Sequence, residues 1–244
     1  MAPSKWHRVY PIKLCVVLLM FSLQACVKEQ IVNNSSDPNA YVGNISTIQD
    51  IDGNTYRARR IGALTWMIDN LRATRYRNGT AIPRVDGNTQ WGQLTTPAYS
   101  VYGGDEANIP RFGLLYNHGV VSTGLLCPTG WRVASNEEWT ELISLYGGHV
   151  TALPAFMEQG FDSWNSSNTN ATNTSGFGAV GGGMRTAGGS YESLLAVGRY
   201  WSSSVVSSGN LDVAHQREFR VDLDFILQNH TARRSGLCVR CVKD

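Results

Sequence analysis

The feature that most limits what this chain can build lies at its start. Lys5, Arg8 and Lys13 precede an eight-residue apolar run, Leu14 to Phe21, and small Ala25 then precedes Cys26. Basic, then apolar, then small is the order of an export leader. The run is shorter than the roughly 20 residues a membrane-spanning helix needs, and no other apolar stretch is long enough. The foldable chain therefore begins near Cys26 and is expected to fold where thiols oxidise. Removing residues 1–25 takes away three basic and no acidic residues, so the formal charge passes from +2 to −1. A near-neutral remainder lacks the basic surface that nucleic acid or anionic lipid adhesion requires. No nucleic-acid partner is expected. What remains suits one sizeable core and is short for two.

Leu23-Gln24-Ala25-Cys26 resembles the bacterial lipobox, in which a peptidase cuts before the cysteine and its thiol then carries diacylglycerol. Gln24 departs from the small residue usual there. The alternative is an ordinary signal peptide cut at Ala25, with Cys26 a plain thiol. The lipobox reading divides the chain into a signal peptide (1–25), a lipidated cysteine with a flexible tether (26–44) and a folded domain (45–244). It makes the membrane a partner through the N-terminal lipid and gives an outer-membrane address. The tether includes Asn33-Asn34-Ser35-Ser36-Asp37-Pro38-Asn39, polar and without periodicity. Its opening, Val27-Lys28-Glu29-Gln30, loosely resembles the charged signals that send some lipoproteins of the Bacteroides group to the cell surface. A solvated linker is the plainer reading of the same residues.

In the domain, Ile45, Ile48 and Ile51 lead through Asp52-Gly53-Asn54 into Thr55-Tyr56-Arg57-Ala58-Arg59-Arg60-Ile61, the pattern of a hairpin. Asp50-x-Asp52-Gly53-Asn54 imitates the start of a calcium loop, but the later glutamate ligand has no counterpart in register. Ser135 and Glu138 form a capping box, and Trp139, Leu142, Ile143 and Tyr146 share one helical face up to Gly147. A second, shorter helix is expected from Pro154 to Gly160, and Asp162 to Gly178 reads as a long surface loop. Phe219, Val221, Leu223, Phe225 and Leu227 alternate with Arg220, Asp222 and Asp224, which predicts one strand with Asp222 and Asp224 on its wet face.

With the leader and Cys26 set aside, Cys127, Cys238 and Cys241 remain, an odd number. Cys238-x-x-Cys241 lies in Leu237-Cys238-Val239-Arg240-Cys241-Val242, which reads as a strand. Positions three apart there are roughly 10 Å apart on opposite faces, too far for a disulfide. A second cysteine pair for zinc is missing. Alternation puts Cys241 with Leu237 and Val239 toward the core, so the expected bridge is Cys127 to Cys241, with Cys238 a free or intermolecular thiol. Closing a loop of about a hundred residues stabilises by up to ~4.7 kcal/mol in the chain-entropy picture.

Several blocks recur in the order of one family. Asp52-Gly53-Asn54-Thr55-Tyr56, Thr65-Trp66-Met67-Ile68-Asp69-Asn70-Leu71-Arg72, Gly113-Leu114-Leu115-Tyr116-Asn117, Leu126-Cys127-Pro128-Thr129-Gly130-Trp131-Arg132-Val133, Glu138-Trp139, Gly182-Gly183-Met184-Arg185, Tyr200-Trp201-Ser202-Ser203 and Val239-Arg240-Cys241-Val242-Lys243-Asp244 together resemble the Fibrobacter succinogenes major paralogous domain. The resemblance runs from about Ile45 to the C-terminus. Ala134 replaces the usual proline, Arg132 a common histidine, and Cys238 is extra. Members look like secreted or lipid-anchored proteins, and their Trp and Glu-Trp blocks are similar to those of formylglycine-generating-enzyme-like domains. The resemblance implies an α+β, C-type-lectin-like fold with short antiparallel strands, one or two helices and long loops.

Trp66, Trp131, Trp139 and Trp201 are expected in the core, since each brings a large apolar surface and one donor. Trp91 and Trp164 lie outside the blocks in polar text, and with Tyr99 and Tyr102 they are the ligand-contact candidates. Aromatic faces suit sugar C–H surfaces, and loops on a rigid scaffold commonly carry binding. Chemistry is sparse. The sequence has no Gly-x-Ser-x-Gly, no His-Glu-x-x-His and no P-loop, and His118, His149, His215 and His230 show no ligand spacing. Gly181-Gly182-Gly183 lacks the strand-to-helix context of a phosphate site, so close backbone packing is expected. The reactive cysteine pair of formylglycine-generating enzymes is not reproduced by Cys238 and Cys241, and the Glu-Pro-Asn and Gln-Pro-Asp signatures of calcium-dependent lectins are missing. No cofactor and no metal are expected. The leading expectation is a non-catalytic surface module binding a glycan or a surface protein. The competing ones are a structural subunit of a surface assembly, with Cys238 or an exposed edge as contact, and a formylglycine-generating-enzyme-like enzyme.

Overall fold

The computed structural model describes residues 42–165, 170–207 and 212–244. The leader, Cys26 and residues 26–41 of the tether lie outside the described residues, as do 166–169 of the Asp162 to Gly178 loop.

The first sheet starts as the hairpin pattern predicts. Strands β1 (Val42–Gln49) and β2 (Thr55–Ile61) pair antiparallel, Ile48 opposite Tyr56. Gly53 takes φ +83°, a turn conformation that suits glycine. The strand takes in Val42, Gly43 and Asn44, so the 26–44 tether boundary is corrected by three residues. Asp50 and Asp52 are engaged by protein donors. Asp50 accepts from the Asp52 and Asn54 amides at 2.9 Å each, and Asp52 from Thr74 N and Arg75 Nε at 2.6 Å each. The imitation of a calcium loop is thus a turn that ties the hairpin to residues 74 and 75. The sheet continues through β3 (Leu64–Met67), β12 (Cys241–Lys243) and β6 (Arg132–Val133), in the order β1-β2-β3-β12-β6.

The second sheet has the order β11-β10-β9-β7-β8, from β7 (Gly182–Arg185), β8 (Tyr191–Leu194), β9 (Val197–Val205), β10 (Val213–Arg220) and β11 (Leu227–Ala232). Its β7–β9 contact is parallel and the other pairings are antiparallel. A two-stranded unit joins β4 (Tyr99–Ser100) to β5 (Leu115–Tyr116). The single strand expected over residues 219–227 is two, because the chain turns between Arg220 and Leu227. Asp222, placed in that turn, pairs with Arg220 at 2.7 Å. Alternation of apolar and acidic residues continues through the turn, which is why it hides the break.

Helices are short: α1 (Asn88–Gly92), α2 (Ile109–Phe112), α3 (His118–Val121), α4 (Asn136–Ser144) and α5 (Leu153–Phe156). The fold is α+β, with five helices among the described residues where one or two were expected. Helix α4 carries the complete capping box of Ser135 and Glu138 and buries Trp139, Leu142 and Ile143. Helix α5 ends at Phe156 instead of reaching Gly160, since Met157 is extended at ψ 136°.

The last segment organises the interior. Leu237 bridges to Tyr116 of β5, Cys238 bridges to Tyr200 of β9, and β12 then pairs with both β3 and β6. Leu237, Val239 and Cys241 face one hydrophobic cluster, while Cys238 and Val242 face a second. The alternation is as expected, but both faces are interior. The stretch is also interrupted at Val239 and Arg240.

Candidate functional site

The covalent staple joins Cys127 to Cys241, with Cα atoms 5.9 Å apart. It ties the loop before β6 to β12. Cys238 is a free thiol but has no exposed surface. Burial pushes its pKa up to about 12, and its Sγ lies 3.6 Å from Phe112 O. A thiol so held is neither a nucleophile at neutral pH nor an intermolecular contact. The expectation that Cys238 could join a partner is therefore corrected. The glycine run packs as expected, for a Cβ at Gly182 would stand 2.8 Å from Cys238 Sγ and one at Gly181 2.9 Å from Ser163 O.

The four aromatic ligand-contact candidates are not gathered into one surface. Trp91, on α1, has no exposed surface and lies under the Arg185 guanidinium at 4.5 Å. Trp164 has none either, and its Nε1 donates to Ala179 O at 3.1 Å. Tyr99 is 8% exposed, its ring 6.2 Å from that of Tyr116. Tyr102 is half-buried, 5.2 Å from Tyr191. Trp91, Trp164 and Tyr99 are corrected to core residues. Polar neighbours in sequence kept them off the core reading, but the chain folds their rings inward, since a large ring left in water forgoes its burial energy.

Sequence reasoning missed three interior arginines, Arg185, Arg217 and Arg240, each at most 1% exposed. Among the described residues, none faces a carboxylate at hydrogen-bond distance. Arg185 donates to Val85 O, to Asp86 O at 2.6 Å and to Gly189 O at 3.0 Å, and it sits between the Trp91 and Tyr191 rings. Arg240 donates to Asn70 Oδ1 at 2.9 Å, to Phe177 O and to Gly178 O at 2.6 Å, over the Phe177 ring at 4.1 Å. Arg217 holds the start of α4 through Asn136 O and Thr140 Oγ1, both at 2.9 Å, and burial lowers its pKa to about 10. A planar guanidinium suits several acceptors at once, so Arg185 and Arg240 each fix loops that have no ladder of their own, while Arg217 fixes the first turn of α4. Arg185 and Arg240 stand inside the recurring blocks, a signal available in the sequence.

Two polar clefts open to solvent. One, of about 70 Å³, is lined by Arg57, Asp69, Asn70, Arg111, Glu158 and Arg240, among others. Burial opposes ionisation of Asp69, but hydrogen bonds from the Arg57 side chain and amide and the Arg57 charge hold its carboxyl below the ordinary carboxylate range. Arg111 donates to Ser163 Oγ at 2.8 Å and to Glu158 at 3.2 Å, and Ser163 donates to Glu158. The cleft so presents fixed donors and acceptors of both signs. The other, of about 140 Å³, is lined by Thr95, Thr96, Asn117, Asp212, Arg233 and Arg234, among others, next to His118. Buried His118 contacts Ser202 O at 3.1 Å and Ser122 Oγ at 3.0 Å. Burial lowers its pKa to about 4, so it is neutral at pH 7 and a weak base. Ser122 also donates to His118 O at 2.8 Å, the bond a residue ending a helix makes. No group of three or more metal-ligating side chains occurs among the described residues.

Trp66, Trp131, Trp139 and Trp201 are all buried, as expected. Trp201 Nε1 donates to Tyr116 O at 2.8 Å. A family model described as the Fibrobacter succinogenes major domain matches residues 60–243. Comparison with curated proteins and with solved structures yields no match.

Proposed function

The chain belongs to the Fibrobacter succinogenes major domain family, and on that premise we propose that it is a non-catalytic envelope lipoprotein presenting a binding or adhesion module. Lipid on Cys26 tethers it to the outer membrane, and a domain of C-type-lectin-like fold displays a surface to a glycan or to a surface protein. The observation that carries the reading is the placement of the recurring residues. Trp66, Trp131, Trp139, Arg185, Trp201, Arg240 and Cys241 are interior. They act on packing and loop geometry, which leaves recognition to the loops they hold. With Trp91, Trp164 and Tyr99 inside, the contact surface falls to the half-buried Tyr102 and Tyr191 and to the charged cleft around Arg111.

Two measurements test this. Mass spectrometry and membrane fractionation of the full chain, beside Cys26→Ser, are expected to show a diacylglyceryl modification that the variant lacks together with its membrane association. A lipid-free, soluble unsubstituted chain would overturn the anchor. Glycan-array binding of the full chain is expected to weaken with Tyr102→Ala or Arg111→Ala. Absence of glycan binding together with co-purification of a defined protein would replace the sugar by that protein. The reading as an assembly subunit is supported by one feature, the open edge of β1.

A further inference from the structure

The sheet edges of this domain differ in how they meet solvent. Strand β6 has two residues, and β8 has four, with positive φ at Ser193 and at Leu195 just beyond its end. On β11, the Arg233 N to Asp212 O bond (3.0 Å) fixes the phase, so Gln228, His230 and Ala232 turn their backbone groups outward. Some of these are already covered: His230 N donates to Asn229 Oδ1 at 2.8 Å, and Ala232 O accepts from Ser235 N at 2.8 Å. Strand β1 is unlike them. It has eight residues, Val-Gly-Asn-Ile-Ser-Thr-Ile-Gln, with no charge and no proline. Among the described residues nothing pairs with its outer side. It also precedes the span matched by the family model.

The Asp50 N to Asn54 O bond (3.1 Å) fixes the phase of the hairpin. With the observed register, Ser46–Ala58 and Ile48–Tyr56 are the hydrogen-bonded pairs, and Ile45, Thr47 and Gln49 aim their N–H and C=O outward. A long edge with free groups and no guarding charge is a template for another strand. We propose that β1 pairs antiparallel with β1 of a second copy of this chain, centred on Thr47. The register is self-complementary. Thr47 meets its own counterpart and Ile45 meets Gln49, which forms about six hydrogen bonds across the seam. A neutral strand brings no like charges face to face, and Ile45, 52% exposed, gains cover. The seam is short, so the dimer is weak and concentration-dependent.

The test uses the full chain in detergent. Sedimentation over a range of concentrations is expected to show a monomer–dimer equilibrium. Thr47→Cys is expected to give a disulfide-linked dimer under mild oxidation, since paired Cα atoms lie about 5.5 Å apart. Gln49→Cys, four residues from its own copy at about 3.3 Å per residue, is not. Thr47→Pro removes an N–H that the hairpin does not use, so the unfolding midpoint holds while the dimer is lost. Should the proline lower that midpoint, Thr47→Lys decides instead, as it keeps every backbone group and opposes two like charges. A monomer at every concentration, a dimer indifferent to these substitutions, or equal cross-linking through positions 47 and 49 would overturn the proposal.

Discussion

The two hydrophobic clusters on either side of the Leu237 to Val242 segment are closed by different means. The first gathers Tyr56, Met67, Tyr116, Trp131, Trp201 and aliphatic side chains around the Cys127–Cys241 bond. The second has no covalent closure. Trp66, Trp139, Phe156, Phe177, Tyr200 and Phe219 form a continuous net of rings, with Trp66–Trp139 at 5.0 Å and Phe177–Phe219 stacked at 6.2 Å. Arg240 lies over two of these rings. A domain with short helices and short strands gains little from repeating backbone ladders. One half compensates by limiting the unfolded chain, the other by ring packing and by carbonyls gathered on a guanidinium.

That contrast can be broken where it is strongest. Trp139 touches Trp66, Phe177, Tyr200 and Phe219, so Trp139→Ala is expected to cost about 3–5 kcal/mol in denaturant unfolding. A loss below ~1 kcal/mol would mean the ring net is not a cooperative unit. Removing the disulfide with paired Cys127→Ser and Cys241→Ser is expected to cost about 2–5 kcal/mol. Hydrogen exchange should rise first around Trp131 and β6, with Cys238 still closed to thiol reagents. Early labelling of Cys238 would merge the two clusters into one.

His118, whose ring is 5.1 Å from Trp201, sharpens the comparison through pH. Burial lowers its folded pKa to about 4, below the unfolded value near 6.5. The stability it contributes is present above the unfolded pKa and is lost as pH falls from there through the folded pKa, on the order of 3 kcal/mol. Unfolding curves between pH 7 and 4 should show that slope, and His118→Gln should flatten it. An unchanged slope would assign the acid sensitivity to other groups. The smallest effect belongs to the helix flanking the ring net. Ser135→Ala removes the acceptor for Glu138 N and is expected to cost about 1 kcal/mol, with the chain still folded by circular dichroism.

What could be read in advance follows from how local its cause is. The capping box of α4, the hairpin at Asp52-Gly53 and the side alternation around Cys241 are decided by residues within a turn or two, and each holds. The disulfide partner followed from that alternation and from Cys127 being the remaining cysteine. Trp91 and Trp164 were misplaced because their neighbours are polar, while their burial comes from Arg185 and Ala179, residues far away in sequence or across an irregular loop. The 219–227 strand failed because a two-residue period does not by itself exclude a turn. The arginine anchors leave no local pattern because most of their acceptors are backbone carbonyls, which every residue carries, and the recurring blocks around Arg185 and Arg240 are the signal that points to two of them.

Strand β12 lies inside its sheet, between β3 and β6, yet is far from β3 in the sequence. A polypeptide that emerges N-terminus first therefore makes β12 long after β3, the strand it pairs with. Strands β1 to β3 are made without their inner neighbour, which follows some 170 residues later, from Met67 to Cys241. A premature stop shortly before Leu237 would accordingly take away an inner strand, the disulfide and the Arg240 anchor together.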